Sequence, residues 1–286
     1  MSHLVIAPVL LPLLAGILLL LARRLDLRVR RLFSVAAVLG QIGLALLLLR
    51  AVGGGDILTY ALGDWPAPFG IVLVADRLAA WMLTVTALLA LFPLLHACRG
   101  EDAAGKHFHV LYQLQLFGLN GAFLTGDLFN LFVFFEVLLL ASYGLVLHGN
   151  SRARTRAGLH YVVLNLAGSA LFLIAVGSLY GLFGTLNMAD LALKLAAVPA
   201  DNLGPARTAG LLLFAVFALK AALLPLHLWL PAAYASTGAP VAALFAIMTK
   251  VGAYAILRAA TLMFGAGAGT MSGLIEPWLL PLALAT

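Results

Sequence analysis

The chain alternates between long apolar stretches and short polar connections. A helix needs about 20 mostly apolar residues to cross a bilayer, and eight stretches meet that need. A ninth begins near Pro277 and stops at Thr286, so we expect a fragment or an early stop. The pattern predicts an all-α bundle of transmembrane helices forming a single domain, residues 1–286. The eight predicted spans are Leu4–Ala22, Leu32–Arg50, Leu78–His96, His109–Thr125, Leu128–His148, His160–Phe183, Thr208–Tyr234 and Pro240–Thr261.

Composition supports a lipid environment. Hydrophobic residues make up 64% of the chain and charged residues 10%, whereas soluble domains carry roughly 25% charged residues. The net charge of +6 does not indicate nucleic-acid binding, because the arginines lie in short loops between apolar stretches. The single cysteine, Cys98, excludes an internal disulfide and is interpreted as small apolar filler near a helix end.

Basic residues are concentrated in the odd-numbered loops, whereas the even-numbered loops carry acidic residues. Cytoplasmic loops of membrane proteins are enriched in lysine and arginine. The odd loops are therefore predicted to be cytoplasmic, with the N-terminus outside. Their cations are Arg23, Arg24, Arg28, Arg30 and Arg31, then Arg99 and Lys106, then Arg152, Arg154 and Arg156.

Three charged residues lie deep inside the predicted spans: Glu136, Lys220 and Lys250. A charge at the centre of a membrane helix costs roughly 2.5–3.5 kcal/mol on insertion scales, so such residues by default mark a pathway. Counting about 1.5 Å per residue puts all three near the middle of the bilayer. We therefore predict a lateral polar track in which burial and Glu136 have opposite effects on the charge of Lys220. A buried salt bridge between Glu136 and one lysine is the structural alternative.

Two prolines predict that the seventh span is broken. In a continuous helix, Pro225 and Pro231 would free the carbonyls of Ala221 and His227, because proline has no N–H to donate. His227 follows Lys220 by seven residues, which would place both on nearly the same helix face. Since imidazole titrates near neutral pH, His227 is predicted to relay protons. The alternative is a structural histidine that binds a freed carbonyl.

Other polar residues give weaker signals. Asp76 and Arg77 are predicted to be interfacial, and Gly177 and Gly181 to allow close helix packing. We find no metal-ligand spacing, nucleotide loop or nucleophile–base arrangement, so no cofactor or metal is predicted. Histidines at helix ends, interpreted as interface anchors, are His109, His148 and His160. Residues able to support either bound water or interhelical hydrogen bonds are Asn120, Asn130, Ser142, Tyr143, Asn165, Ser169, Thr249 and Tyr254.

Three motifs in order resemble a known family. They are Gly126–Glu136 (GDLFNLFVFFE), Lys220 followed by Pro225–Pro231 (PLHLWLP), and Ala239–Leu244 (APVAAL) with Met248–Lys250 (MTK). They resemble the antiporter-like subunits of Mrp-type (also called Pha or Mnh) sodium–proton antiporters and of respiratory complex I. The fifth and seventh helices are most similar to the D subunit of the Mrp type.

The resemblance implies a fold with two inverted repeats of five helices, each with a broken helix. Residues 109–261 would form the first half-channel repeat, and the second would be missing. It also implies that Glu136 tunes Lys220 and that Lys250 passes protons laterally.

The function implied is that of a proton-translocating subunit of a multisubunit Na⁺/H⁺ or K⁺/H⁺ antiporter. Such a subunit is a secondary transporter rather than an enzyme. It works with other subunits in the bilayer of the bacterial cell (inner) membrane.

Two alternatives remain open. One is a proton-pumping membrane-arm subunit of a complex I-like NADH:quinone oxidoreductase or an energy-converting hydrogenase. The other is a scaffold whose buried charges only pair helices.

Overall fold

The computed structural model describes residues 3–22 and 24–286, and it is a bundle of apolar helices. The predicted all-α polytopic class is confirmed. Arg23, assigned above to the first basic loop, lies outside the described residues. The helices are α1 (His3–Leu21), α2 (Leu27–Ala51), α3 (Arg77–Ala97), α4 (Phe108–Leu124), α5 (Leu128–Val146), α6 (Arg152–Phe183), α7 (Met188–Ala196), α8 (Leu203–Lys220), α9 (Trp229–Ser236), α10 (Ala239–Phe245), α11 (Met248–Arg258) and α12 (Glu276–Ala285).

Seven segments within the described residues are long and apolar enough to cross a membrane. The predicted count of eight depends on α4, which has 17 residues and is almost entirely buried in the bundle. Three predicted starts were late, because α2 begins at Leu27, α6 at Arg152 and α8 at Leu203. The apolar stretch near Pro277 forms α12.

A short hairpin interrupts the helical pattern and was not predicted. Strands β1 (Leu58–Ala61) and β2 (Val72–Ala75) pair antiparallel between α2 and α3. The hairpin contacts the start of α5, where the amide of Gly126 donates to the carbonyl of Val72 over 2.9 Å. The carbonyl of Gly126 in turn accepts from the amide of Met188, which begins α7, over 2.9 Å. We call this the hairpin end of the bundle.

The opposite end collects the arginine-rich loops, and we call it the basic end. Arg31 binds Asp102 there, and His148 contacts the carbonyl of Glu101 over 2.9 Å. The structure therefore groups the odd loops at one end of the bundle. Their cytoplasmic location remains a prediction.

The predicted break of the seventh helix lies between α8 and α9, and α8 ends at Lys220. The amide of Leu223 donates to the carbonyl of Ala218 over 2.9 Å, and that of Ala222 to Leu219 over 3.1 Å. This pair of bonds is the Schellman C-cap, which usually has glycine at its left-handed position. Here Ala222 takes that position, with φ of 57°.

The position of the break corrects two expectations. Because α8 has already ended, Lys220 and His227 do not share a helix face. Pro231 lies in the first turn of α9, where a missing N–H leaves no helical bond unmade. The indole of Trp229 instead stabilises the end of α8, because it donates to the carbonyl of Leu219 over 2.9 Å.

The eighth span is also interrupted. Residues 246–247 separate α10 from α11, and the hydroxyl of Tyr234 donates to the carbonyl of Phe245 over 2.7 Å. Helix α11 then packs tightly on the end of α8. A Cβ atom added to Gly252 would lie 2.6 Å from the carbonyl carbon of Lys220. Helix α11 therefore contacts α8 at the break, and only glycine leaves room for this contact.

Candidate functional site

Lys220 is the buried centre of the site. Its side chain sits at the last residue of α8 and only 4% of the residue is exposed. The amine nitrogen lies 3.3 Å from the hydroxyl of Ser169 and 3.5 Å from the side-chain oxygen of Asn165. The ring of Phe135 lies 5.8 Å away. A buried amine is thus surrounded by neutral acceptors and an aromatic face.

Helix α6 supplies both neutral acceptors. Asn165 and Ser169 are four residues apart, so they lie on one face and point at the same partner. The side-chain amide nitrogen of Asn165 donates to the backbone carbonyl of Tyr161 over 3.0 Å. This bond turns the oxygen of Asn165 towards Lys220, which can only donate.

Glu136 joins the cluster through Ser169. The hydroxyl of Ser169 donates to Oε1 of Glu136, a half-buried residue of α5. Within the described residues, Glu136 and Lys220 have no direct ion pair within 4.0 Å. A hydroxyl has one proton to donate and two lone pairs. Ser169 can therefore accept from Lys220 while it donates to Glu136, which is the arrangement of a proton relay.

His227 lies outside this cluster. It occupies a short 3₁₀ turn, Leu226–Leu228, between the break and α9. The residue is half-buried, and its Nδ1 atom is buried with no hydrogen-bond partner among the described residues. The structure therefore leaves a buried imidazole nitrogen unpaired beside the helix break, and within the described residues His227 makes no hydrogen bond to Lys220.

Lys250 also lies outside the cluster. It is exposed in the first turn of α11, and its nitrogen lies 3.2 Å from the hydroxyl of the adjacent Thr249. Within the described residues, Lys250 therefore makes no hydrogen bond or ion pair with Glu136 or Lys220, and the lateral track remains a prediction. The exposure of Lys250 follows from its position on α11: Gly252 takes the face that packs on α8, two residues away from Lys250.

A half-buried ion pair at the hairpin end was missed. Arg258 binds Asp76 through two bonds of 2.6 and 2.5 Å, and its Nε donates to Tyr254 over 2.9 Å. Burial alone would raise the pKa of Asp76, but the bonds from Arg258 and the amide of Ala79 hold this pKa below its ordinary value. Arg258 lies inside a predicted span, so a search for charged residues within apolar spans, which identified the two lysines, could also have identified Arg258.

A second network ties the basic end together. Arg31 binds both oxygens of Asp102 over 2.6 Å, and His109 contacts the same carboxylate over 3.0 Å. Cys98, Asp102 and His109 place three possible metal-ligand atoms within 4.8 Å of one another. Because Arg31 already occupies both carboxylate oxygens, the cluster fits an ion-pair network better than a metal site.

Several polar residues make interhelical hydrogen bonds, one of the two roles predicted for them. Asn120 of α4 donates to the carbonyl of Pro8 over 2.8 Å and to Gln41 over 2.9 Å. The carbonyl of Pro8 is free because Pro12 cannot donate to it. Ser142 and Tyr161 join α5 to α6 over 2.8 Å. The bonds of Asn120 join α4 to α1 and α2, whereas the Ser142–Tyr161 bond joins the two helices that contact Lys220.

Comparison with known proteins gives a consistent group. Residues 125–286 match the family described as "NADH:quinone oxidoreductase/Mrp antiporter, TM". The chain is 50% identical over 284 residues to the D subunit of a probable K⁺/H⁺ antiporter of Rhizobium meliloti, covering 98% of this chain and 53% of that protein. It is 44% identical over 267 residues to the D subunit of a Na⁺/H⁺ antiporter of Bacillus subtilis, covering 92% and 54%. The chain thus spans about half the length of these relatives.

Solved structures agree with the fold. A chain of the Mrp complex from Dietzia sp. DQ12-45-1b matches with a TM-score of 0.83 and 35% identity, over 92% of this chain and 49% of that chain. A chain of the membrane-bound sulfane sulfur reductase, an archaeal respiratory membrane complex, matches with a TM-score of 0.89 and 28% identity, over 99% and 57%.

Proposed function

The chain belongs to the NADH:quinone oxidoreductase/Mrp antiporter family, and from that premise we propose that it is the proton-translocating part of a multisubunit cation/proton antiporter. The observation that carries the proposal is the bridge between Lys220 and Glu136 through the hydroxyl of Ser169. The exchanged cation is Na⁺ or K⁺, since relatives carry either name. The subunit works as a transporter rather than an enzyme.

The proposed step moves one proton along the bridge. The ammonium of Lys220 gives a proton to Ser169 while Ser169 passes its own proton to Glu136. The products are a neutral amine and a neutral carboxylic acid, so the charge pair is discharged without a net change in charge. Burial favours the neutral amine of Lys220, whereas the carboxylate of Glu136 favours its charged form, so the two protonation states are close in free energy. A proton arriving from either side can shift it.

His227 and Lys250 take the outer positions in this scheme. His227 lies in the turn beside the break and its imidazole is half-buried, which suits the transfer of protons between water and Lys220. Lys250 would receive protons laterally, because its helix packs through Gly252 directly on the end of α8. Residues 109–261 would form this first half-channel.

The setting is a bacterial cell (inner) membrane. The basic end would face the cytoplasm and the N-terminus the outside, as the arginine distribution favours. The exposed position of Lys250 supports a setting in which further protein covers that face, because an uncovered lysine within a membrane helix is costly. Other subunits of the antiporter are the proposed partners.

The test is Glu136→Gln, which keeps the shape of the side chain and removes its charge. Cation-driven proton movement is measured in everted vesicles, with assembly checked on blue-native gels. We expect assembled complexes with severely reduced transport, and partial activity in Glu136→Asp. Full transport by assembled Glu136→Gln complexes would return Glu136 to a structural role.

A second candidate is a membrane-arm subunit of a respiratory complex. The TM-score of 0.89 to a chain of an archaeal respiratory complex favours it. The two functions differ in what co-purifies with the chain. Antiporter subunits would support the first, and iron–sulfur subunits the second. If lysine variants instead reduce assembly and the complexes that do assemble remain fully active, the chain is a scaffold.

A further inference from the structure

An open groove of about 710 Å³ lies between α6 and α9 near the basic end. Helix α6 contributes three basic or titratable side chains, and α9 contributes small residues to the opposite wall. The groove is therefore charged along one side and leaves room along the other. Its lining residues are Arg152, Ala153, Arg156, Ala157, His160, Ala232 and Ser236.

The basic side chains form a ladder. Arg152, Arg156 and His160 recur every four residues, so they lie on one helix face, about 6 Å apart along the axis. All three are exposed. Within the described part of the chain, Arg152 and Arg156 have no hydrogen-bond or ion-pair partner through their side chains. Their guanidinium groups are thus available to a ligand.

Arg154, between the two, has a different role. Its Nε donates to the carbonyl of Ser236 over 3.1 Å, and its other nitrogen donates to the carbonyl of His148. These bonds hold the end of α9 against α6 and α5. One arginine of the cluster therefore fixes the groove wall, while its neighbours line the opening.

The groove lies at the level of lipid headgroups. Helix α6 has 32 residues and is about 48 Å long, whereas the hydrocarbon core is about 30 Å thick. Its first turns therefore extend beyond the core. The same exposed surface continues as Leu159 and Val163, which are 66% and 56% exposed. A ligand here would have phosphate beside the arginines and hydrocarbon beside these side chains.

We propose that this groove binds one anionic phospholipid, with its phosphodiester between Arg152 and Arg156. Guanidinium groups bind phosphate oxygens in pairs, which adds geometric specificity. The headgroup should carry no cation of its own, because an ammonium would face the arginines. Phosphatidylglycerol fits this chemistry and phosphatidylethanolamine does not. The adjacent apolar surface selects a lipid over free phosphate.

The test is native mass spectrometry of the purified complex supplied with phosphatidylglycerol, phosphatidylethanolamine or inorganic phosphate. In the variant Arg152→Gln/Arg156→Gln, the amount of retained phosphatidylglycerol should fall about tenfold or more, since each basic residue beside anionic lipid strengthens binding several-fold. The matched control is Arg24→Gln/Arg28→Gln, which removes two exposed arginines from the same end, outside the groove. We expect the control to bind like wild type.

A second variant tests the shape of the groove. Ala232→Phe fills the α9 wall and leaves every charge in place, so it should also weaken retention of phosphatidylglycerol. The proposal is overturned if both arginine pairs reduce retention equally, which indicates diffuse attraction. It is also overturned if phosphatidylethanolamine is retained equally well, if phosphate alone displaces the lipid, or if a partner subunit covers the groove.

Discussion

The amine nitrogen of Lys220 lies 3.3 Å from the hydroxyl oxygen of Ser169. The contact joins the end of a broken helix to α6, and the same hydroxyl donates to Glu136 on α5. Three helices are thus connected by one small side chain. Ser169 bridges the acid and the amine, which form no direct ion pair within the described residues.

Ser169→Ala should therefore disable the relay and leave the fold intact. The substitution removes the only proton that Ser169 can pass on, and a positioned proton-transfer group contributes on the order of 100-fold to rate. We expect a loss of transport approaching that size in everted vesicles, with normal assembly on blue-native gels.

Ser169→Thr is the matched variant, because it keeps the hydroxyl. It should retain much of the activity, reduced only by the fit of one added methyl group. If Ser169→Ala complexes transport as fast as wild type, Lys220 and Glu136 exchange protons by another route.

Sequence reasoning found the charged residues because of their surroundings. A charge within an apolar stretch is visible without a structure, and Glu136 and Lys220 were identified in this way. The role of Ser169 was not visible, because an isolated serine in a membrane helix has many possible partners. Asp76 and Arg258 are 182 positions apart, and no periodic pattern connects residues at such a distance.

The sequence predicted that the seventh helix is broken, but not the residue at which its first part ends. Pro225 indicated that a helix could not continue through it. The actual end at Lys220 depends on Ala222 adopting a left-handed conformation, which local propensity does not favour for alanine. The exposure of Lys250 depends on which face of α11 meets α8, and the close approach at Gly252 decides this.

Ala222→Gly should stabilise the protein. The residue has a φ of 57°, and a left-handed conformation costs an L-residue roughly 1–2 kcal/mol that glycine avoids. We expect a higher midpoint in thermal unfolding of the purified complex. The control is Ala221→Gly, at φ of −77°, where glycine should lower stability by about 0.5–1 kcal/mol. Equal effects of the two substitutions would contradict the C-cap assignment.

Asp102 should make the fold sensitive to acid. Burial alone would raise the pKa of its carboxyl, but the bonds from Arg31 and His109 outweigh burial and lower this pKa. A lowered folded-state pKa contributes stability that is present above the unfolded-state pKa, about 3.9. That stability is lost as pH falls through the lower folded-state value. Asp102→Asn should therefore unfold more easily than wild type at pH 7.

The difference between wild type and Asp102→Asn should shrink below about pH 4, as measured by thermal unfolding of the detergent-solubilised complex across that range. Asp190→Asn is the control, because its pair with Lys194 is partly exposed. Exposed pairs contribute little to stability, so this variant should follow wild type at each pH. A constant difference between wild type and Asp102→Asn at all pH values would show that the carboxylate charge is not responsible.

Lys220→Arg separates a proton-cycling lysine from a structural one. Arginine keeps its proton under all accessible conditions, whereas a buried lysine can give its proton up. If Lys220 alternates between charged and neutral forms, Lys220→Arg should be as inactive as Lys220→Ala, although it retains the positive charge. If Lys220 only pairs with the polar groups of α5 and α6, Lys220→Arg should be the better tolerated. The measurement is cation/proton exchange in everted vesicles, normalised to assembled complex on blue-native gels. Assembled Lys220→Arg complexes that run near the wild-type rate would rule out proton cycling at this residue.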